Sequence, residues 1–209
     1  MTNDWKLILK VVLGSAVLIM VVIFGLSKMA GSNNTLSVDQ GKLLEGAKLV
    51  KESGETKVTV VNFSDMECPA CKVAHEKLEG LTGTSGVKVV FRHFPLSIHR
   101  YAPITARAVE TARVMGKGWE MIDLLFSKQE EWSAEPKIEE KLIEYAVSLG
   151  LNGDDFRSKL NSAEVAGAVQ QDVALGDSLR LMGTPTIYVN GEQVATDFVI
   201  AKVNDLLKK

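Results

Sequence analysis

Cysteine is scarce in this chain: its 209 residues contain two. That excludes a disulfide-stapled mini-domain, and a chain of this length buries a core without staples. Five prolines and 17 glycines fall within the ordinary range, which excludes collagen-like and low-complexity classes. No internal repeat or low-complexity tract follows the amino-terminal segment, so a solenoid is excluded as well. Nor is there a block of one charge. The net charge is −2; residues 1–30 carry Lys6, Lys10 and Lys28 against Asp4, a net +2, leaving −4 on the remainder. A mildly acidic body without a basic stripe argues against nucleic acid as a partner.

What is present begins with a long apolar run. Leu7 to Leu26 reads LILKVVLGSAVLIMVVIFGL, and no charge occurs from Val11 to Leu26. Twenty helical residues cover about 30 Å, the thickness of a bilayer's hydrocarbon core, and Lys10 near one end can snorkel to the headgroups. A cleavable secretory signal is the competing reading, but the run is long for one; a cut after Ala30 would put Lys28 three residues before it, whereas a cut after Ser27 would put an acceptable Gly25 there. The expectation is therefore one uncleaved transmembrane helix in residues 1–30, a tether in 31–45, and a folded domain in 46–209. Lys6 and Lys10 before the run, against Lys28 after it, keep the amino terminus in the cytoplasm. The domain then faces the extracytoplasmic side of the cell membrane on a single-pass anchor.

In the body, strand and helix signals alternate. Ala47 to Lys51 reads as an edge strand. Lys57 to Phe63 (KVTVVNF) is β-branched and too short for a helix, so it reads as a buried strand. Pro69 suits a helix's first turn, where its missing N–H would be unpaired anyway, and that helix runs to about Leu81. Val87 to His93 (VKVVFRH) is the next strand, completing a βαβ unit with parallel strands and a right-handed crossover. Helical stripes follow: Ile104, Ala108, Ala112 and Met115; Ile122, Leu125 and Phe126; Ile138, Leu142, Tyr145 and Leu149; and a long helix over Val165 to Leu181. Trp119, Phe126 and Trp132 read as core aromatics of this block. Thr186 to Val189, Asn190-Gly191 and Glu192 to Ala195 then form a hairpin, because Asn-Gly suits a type I′ turn. Asp197 caps a last helix ending at Lys208 and Lys209. The order is βαβ, a helical insertion at about 102–182, then ββα.

The chemistry-bearing residues are Cys68-Pro69-Ala70-Cys71. Two cysteines three apart at a helix start put both sulfurs within reach of one disulfide. The first sits at the positive end of the helix dipole, near unpaired N–H groups, which favours thiolate and makes Cys68 the attacking sulfur. Cys71, one turn in, points to the protein and can resolve a mixed disulfide. His75 extends the pair to a Cys-x2-Cys-x3-His pattern, so a metal-binding module using Cys68, Cys71 and His75 is the alternative from another class. No second cysteine pair exists to complete a four-ligand structural zinc site. A c-type haem is excluded because Lys72 follows Cys71. His75, Arg92 and His93 otherwise read as surface or core residues. Gly183-Thr184-Pro185-Thr186 puts a proline at a strand's start, where it owes no ladder hydrogen bond.

Taken together, Val60 to Cys71 (VVNFSDMECPAC), Phe91 to Leu96 (FRHFPL) and Gly183 to Gly191 (GTPTIYVNG) resemble the DsbA-type thioredoxins, in particular the membrane-anchored BdbD-like branch. The resemblance covers roughly Ala47 to Leu207. It implies an α/β thioredoxin fold, βαβ…ββα with a helical insertion, preceded here by the transmembrane helix. It implies a protein thiol–disulfide oxidoreductase without a cofactor, with Cys68, Cys71 and Pro185 as its catalytic residues. Thr184-Pro185 would be a cis peptide beside Cys68, and Thr184, Pro69 and Ala70 would meet the substrate. The implied partners are reduced secreted proteins and a quinone-linked membrane reoxidase, with the chain itself a monomer. Two departures from the family pattern bear on redox strength. Asn62 stands where relatives commonly carry a buried acid, and Pro-Ala lacks the histidine of the strongest oxidants. The expected task is disulfide donation, with reductase or isomerase action as the alternative direction. For the anchor, intact-mass measurement of the membrane-extracted protein is expected to find Met1 or Thr2 at the amino terminus; a chain starting at Lys28 or Gly31 would replace the anchor by a cleaved signal.

Overall fold

The strand Val58–Ser64 (β2) organises the domain, because all seven of its residues are buried. A β-branched run with no polar face is stable only where both sides of a sheet are covered. In the computed structural model, which describes residues 37–209 and Met20, β2 lies at the centre of a five-stranded sheet of order β1-β3-β2-β4-β5. Val87–His93 (β3) pairs with it in parallel, Val58 opposite Val87 and Ser64 opposite His93. Leu49–Ser53 (β1) is the antiparallel edge strand on β3. Thr186–Val189 (β4) and Glu192–Val194 (β5) form the hairpin, with β4 antiparallel to β2. Asn190 and Gly191 both have positive φ, 47° and 85°, as the type I′ turn requires.

The helices follow in chain order: Gln40–Leu44 (α1), Pro69–Glu79 (α2), Ala102–Val114 (α3), Gly118–Ser127 (α4), Gln129–Ser133 (α5), Ile138–Ser148 (α6), Gly153–Leu160 (α7), Ala163–Ser178 (α8) and Val199–Leu207 (α9). One sheet face, with Val58, Val60, Val89 and Ile187, is covered by Ala74 and Leu78 of α2 and Val199 and Val203 of α9. The other, with Val61, Phe63, Val90 and Tyr188, meets Leu43 of α1 and the Leu175–Leu181 end of α8. Helices α3 to α7 build a third cluster around Trp132, Phe126, Leu125 and Leu142, which continues to Met66, Cys68 and Cys71.

The insertion is tied to the sheet by buried charge. Arg92 of β3 is completely buried and donates to Asp172 of α8 at 2.6 Å and to the carbonyls of Leu43 and Glu45 at 2.9 and 2.6 Å. The His93 N–H donates to the other Asp172 oxygen at 3.0 Å. The His93 ring meets Glu110 of α3 at 3.2 Å, and Arg113 closes on Glu110 at 2.6 Å. Burial works against the Glu110 carboxylate, but the hydrogen bonds and charges of His93 and Arg113 together hold it below the usual range.

Several sequence boundaries shift. The expected transmembrane run, residues 7–26, lies outside the described residues except for Met20; among those described, no helix is long and apolar enough to cross a membrane. The stretch 31–45, expected as a tether, is folded from Ser37 on. Ser37 bridges to Glu192, Asp39 caps α1, and Leu43 is fully buried. Helices α5 and α7 were not anticipated. The first has five residues, and the second is mostly polar, burying only Phe156 and Leu160 behind its Asn152 cap. Helix α8 ends at Ser178, three residues early, because Arg180 adopts a φ of 56° and the Leu181 N–H returns to the Gly176 carbonyl. Gly176 is required there, since a Cβ would lie 2.5 Å from the Phe94 ring. Asp197 caps nothing: Thr196–Phe198 is a 3₁₀ turn and its carboxylate pairs with Lys77 instead.

Removing one partner of a buried ion pair leaves a charge uncompensated, at about 3–5 kcal/mol. Asp172→Ala is therefore expected to lower the melting temperature by roughly 10 °C in a domain of this size, measured by calorimetry. The double variant Arg92→Met with Asp172→Leu should recover most of that loss, because no charge is then stranded.

Candidate active site

The β2–α2 connection is short and buried. It runs from Ser64 through Asp65, Met66 and Glu67 into Cys68, which is the N-cap of α2 with φ −76° and ψ 120°. Pro69 occupies the first helical position and fixes the entry. No side chain caps this end, so its N–H groups face the Cys68 sulfur. Cys68 is 7% exposed and Cys71 not at all, and both are unpaired thiols.

The two sulfurs are chemically unlike. The Cys71 thiol, acting as donor, is the largest influence that brings the Cys68 pKa down to about 5. Burial opposes it, and backbone groups of Cys71 and Ala70 add to the lowering. Cys71 is driven strongly upward, first by that same hydrogen bond and then by burial, so it holds its proton. The Asp65 N–H lies 3.5 Å from the Cys71 sulfur. The arrangement holds one nucleophilic thiolate at the helix start with one thiol beneath it, as exchange at Cys68 requires.

Thr184-Pro185 is a cis peptide, and the Thr184 carbonyl oxygen lies 3.5 Å from the Cys68 sulfur, accepting from it when Cys68 is protonated. Proline at 185 leaves no N–H beside that sulfur, while Thr186 Oγ1 fixes the turn by donating to the Gly183 carbonyl at 2.8 Å. Pro69 and Ala70 are exposed; Thr184 and Pro185 are half-buried. The structure thus gathers Cys68, Cys71, Thr184 and Pro185 into one place, with Pro69 and Ala70 on its rim.

Other expectations resolve differently. The His75 Nε2–H donates to Asp123 Oδ1 at 2.9 Å, and the ring stacks on Phe126 with ring centroids 4.8 Å apart. Among the described residues no group of three or more His, Cys, Asp or Glu is arranged to hold a metal ion. The metal-module reading loses its third ligand to that pairing. Asn62 is buried on the α2 face of the sheet, lining a cavity of about 10 Å³ with His75, Leu78 and Trp119. Among the described residues its Oδ1 has no hydrogen-bond partner. Arg92 and His93 belong to the core network, and Trp132 and Phe126 to the insertion core.

Three further residues belong to this site, and of these Gln129 escaped the sequence reading altogether. Asp65 is 1% exposed and collects the N–H groups of Glu67 at 2.8 Å and Leu96 at 2.7 Å and the His99 ring at 2.8 Å. Glu67 accepts from the Tyr101 N–H. Gln129 of α5 donates to the carbonyls of Met66 and Cys68 at 2.8 and 3.1 Å, bringing the insertion to the redox loop. The signal for the Asp65 contacts lay in the topology: β2 and β3 are parallel, so the segments after them, 65–68 and 94–101, leave the sheet at the same end.

Comparison with known proteins gives the same picture. A family model described as thioredoxin matches residues 51–209. The Na(+)/H(+) antiporter NhaA 3 of Salinispora tropica is 40% identical over 146 residues, and NhaA 1 of Salinispora arenicola is 38% identical over 146. Each match takes in 69% of this chain but 22% of the antiporter, so the chain spans about a fifth of the length of these relatives. Oxidised BdbD from Bacillus subtilis superposes with a TM-score of 0.67 at 25% identity, over 79% of this chain and 95% of that one. A thioredoxin-like oxidoreductase from Silicibacter pomeroyi gives 0.67 at 26%, over 82% and 99%.

The thiolate is directly observable. In the reduced protein, thiolate absorbance is expected to rise with a midpoint near pH 5 and to be lost in Cys68→Ser, while Cys71 stays protonated beyond pH 9. A folded pKa below the unfolded value near 8.5 stabilises the fold fully above that pH. The contribution disappears as pH falls through about 5. The disulfide form has no such group, so the stability of the reduced form relative to it should decline between about pH 8.5 and 5, read by paired denaturant titrations.

Proposed function

The chain belongs to the thioredoxin family, in its DsbA- and BdbD-like branch of thiol–disulfide oxidoreductases, and from that premise we propose that it donates disulfides to other proteins by exchange at Cys68. The single observation that carries this reading is the division between the sulfurs: Cys68 low in pKa at the helix start, Cys71 buried and protonated beneath it.

In the oxidised pair, a substrate thiolate attacks the Cys68 sulfur. The Cys68–Cys71 bond breaks, a mixed disulfide forms at Cys68, and Cys71 leaves and takes up a proton, as its raised pKa favours. A second substrate thiolate then attacks the substrate sulfur of the mixed disulfide, and Cys68 departs as thiolate. A low pKa makes it the better leaving group. The substrate loses two electrons and two protons; the pair gains the electrons. Proline 185, with no N–H to offer the sulfur, and the Thr184 carbonyl border the approach, with Pro69 and Ala70 exposed on the other side.

The direction follows from the same pKa. Relative to thioredoxin, whose nucleophile titrates near 7 with a potential of about −270 mV, a pKa of about 5 favours the reduced form about 50-fold at pH 7. At about 30 mV per tenfold this raises the potential by about 50 mV, to near −220 mV. The proposed setting is extracytoplasmic, on the single-pass anchor read from residues 7–26, with reduced secreted proteins as substrates. By family likeness a quinone-linked membrane protein would reoxidise the pair, and the chain would work as a monomer.

Equilibration of the pair against glutathione is expected to return a potential near −220 mV; a value below about −260 mV would replace donation by reduction. In the same preparation Cys71→Ser is expected to accumulate mixed disulfides through Cys68, since the resolving thiol is gone, and Cys68→Ser to accumulate none. The opposite pattern would reverse the two roles.

A further inference from the structure

No titratable side chain stands between the two sulfurs, because the intervening residues are Pro69 and Ala70. The ionisable groups just before them, Asp65 and Glu67, are both acids, and their charge opposes a thiolate at Cys68. The structure sets one cation-forming group against them. His99, in the segment between β3 and α3, donates its Nδ1–H to Asp65 Oδ2 at 2.8 Å. The Asp65 side chain has no exposure, and its oxygens are fixed by the N–H groups of Glu67 and Leu96. A carboxylate held from three directions aims the ring that binds it and favours its doubly protonated form. The His99 side chain keeps 20% of its surface in solvent, so it can exchange protons with water.

We propose that His99, oriented by the buried Asp65, is a positioning residue that sets the charge at the redox pair, its imidazolium offsetting the two loop acids so that Cys68 persists as thiolate. This rests on the thiol–disulfide reading above. It assigns to a residue 31 positions downstream the positive charge that the Pro-Ala dipeptide does not supply. The segment carrying it is itself clamped to the redox loop, by Leu96 N–H on Asp65 and Tyr101 N–H on Glu67.

The groups that face His99 are Asp65, Glu67 and Cys68 from the loop before α2, with Arg100 beside it on its own segment, turned over the Tyr101 ring at 4.9 Å. Burial disfavours the imidazolium, but the hydrogen bond and charge of Asp65, then the charges of Cys68 and Glu67, outweigh it and raise the His99 pKa. One of those three negative charges exists only in the reduced protein. Coupling between two sites is reciprocal, so if His99 favours the Cys68 thiolate, the thiolate must favour His99 protonation by the same factor.

That reciprocity gives a test independent of mutation. The chain has three histidines, so their imidazole NMR titrations can be followed in the detergent-solubilised full chain, with His99→Gln identifying the signal. The His99 midpoint is expected to drop by roughly 0.5 to 1 unit when the Cys68–Cys71 disulfide forms. In His99→Gln the pH profile of Cys68 alkylation should move up by about one unit, a tenfold loss of thiolate below its midpoint, and His99→Lys should restore most of it. Equal His99 midpoints in the two redox states overturn the proposal. So does an unmoved alkylation profile in His99→Gln, even with a lowered melting temperature, because mere loosening of the loop would produce that. Failure of the wild-type pair to form a disulfide in a glutathione buffer would instead overturn the exchange reading itself.

Discussion

A protonated sulfur beneath an ionised one is the constraint on which the rest of this structure depends. Cys71 can donate to Cys68 only while it stays a thiol, and it stays a thiol because that hydrogen bond first, and burial second, disfavour its charged form. That burial is built from two directions. The helix that carries Cys71 is held on the sheet through Ala74 and Leu78, and the insertion supplies the cluster of Phe126, Leu125 and Trp132 that closes over Met66, Cys68 and Cys71. An insertion that drifted from the sheet would wet Cys71 and remove the difference between the sulfurs.

The buried charges away from the site serve that closure. Arg92 of the central layer reaches Asp172 near the end of the insertion and two carbonyls at the carboxyl end of α1, joining three separate stretches of chain with one guanidinium. His93, Glu110 and Arg113 make a second tie into the first insertion helix. Pairs of this kind add little net stability over apolar replacements, but they tolerate only one register. Gln129, donating to the Met66 and Cys68 carbonyls, carries the same specificity to the redox loop. The fold therefore fixes the position of the cysteines more stringently than hydrophobic packing alone would.

What could be read in the sequence was what short-range chemistry dictates. The β-branched run of β2, proline at the first turn of α2, and Asn-Gly at the hairpin each act within a few residues, and the observed elements begin within a residue or two of those signals. The cysteine spacing and the Thr-Pro step lie in the same range. Helix α7 was hidden because its stability comes from an Asn152 cap and two buried side chains rather than from a stripe. Asp197 looked like a cap and became a surface ion pair, since a 3₁₀ turn came first. His99 was invisible as a site residue because nothing local marks it; its partner lies 34 positions back, and only the parallel pairing of β2 and β3 brings the two loops together.

Asn62 shows what this site does without. A carboxylate there would titrate beneath the cysteines and tie the thiol's proton to its own, whereas an amide has no proton to exchange in the working range. The acids near the pair lie instead in the loop above the sheet, where Asp65 is held by the N–H groups of Glu67 and Leu96 and by the His99 ring, and Glu67 accepts from the Tyr101 N–H. The response to sulfur oxidation is left to the one cation-forming group among them, the partly exposed His99 ring. Redox tuning in this chain is thereby moved from the interior of the sheet to its rim, where the protein can exchange a proton with solvent without opening the core that keeps Cys71 dry.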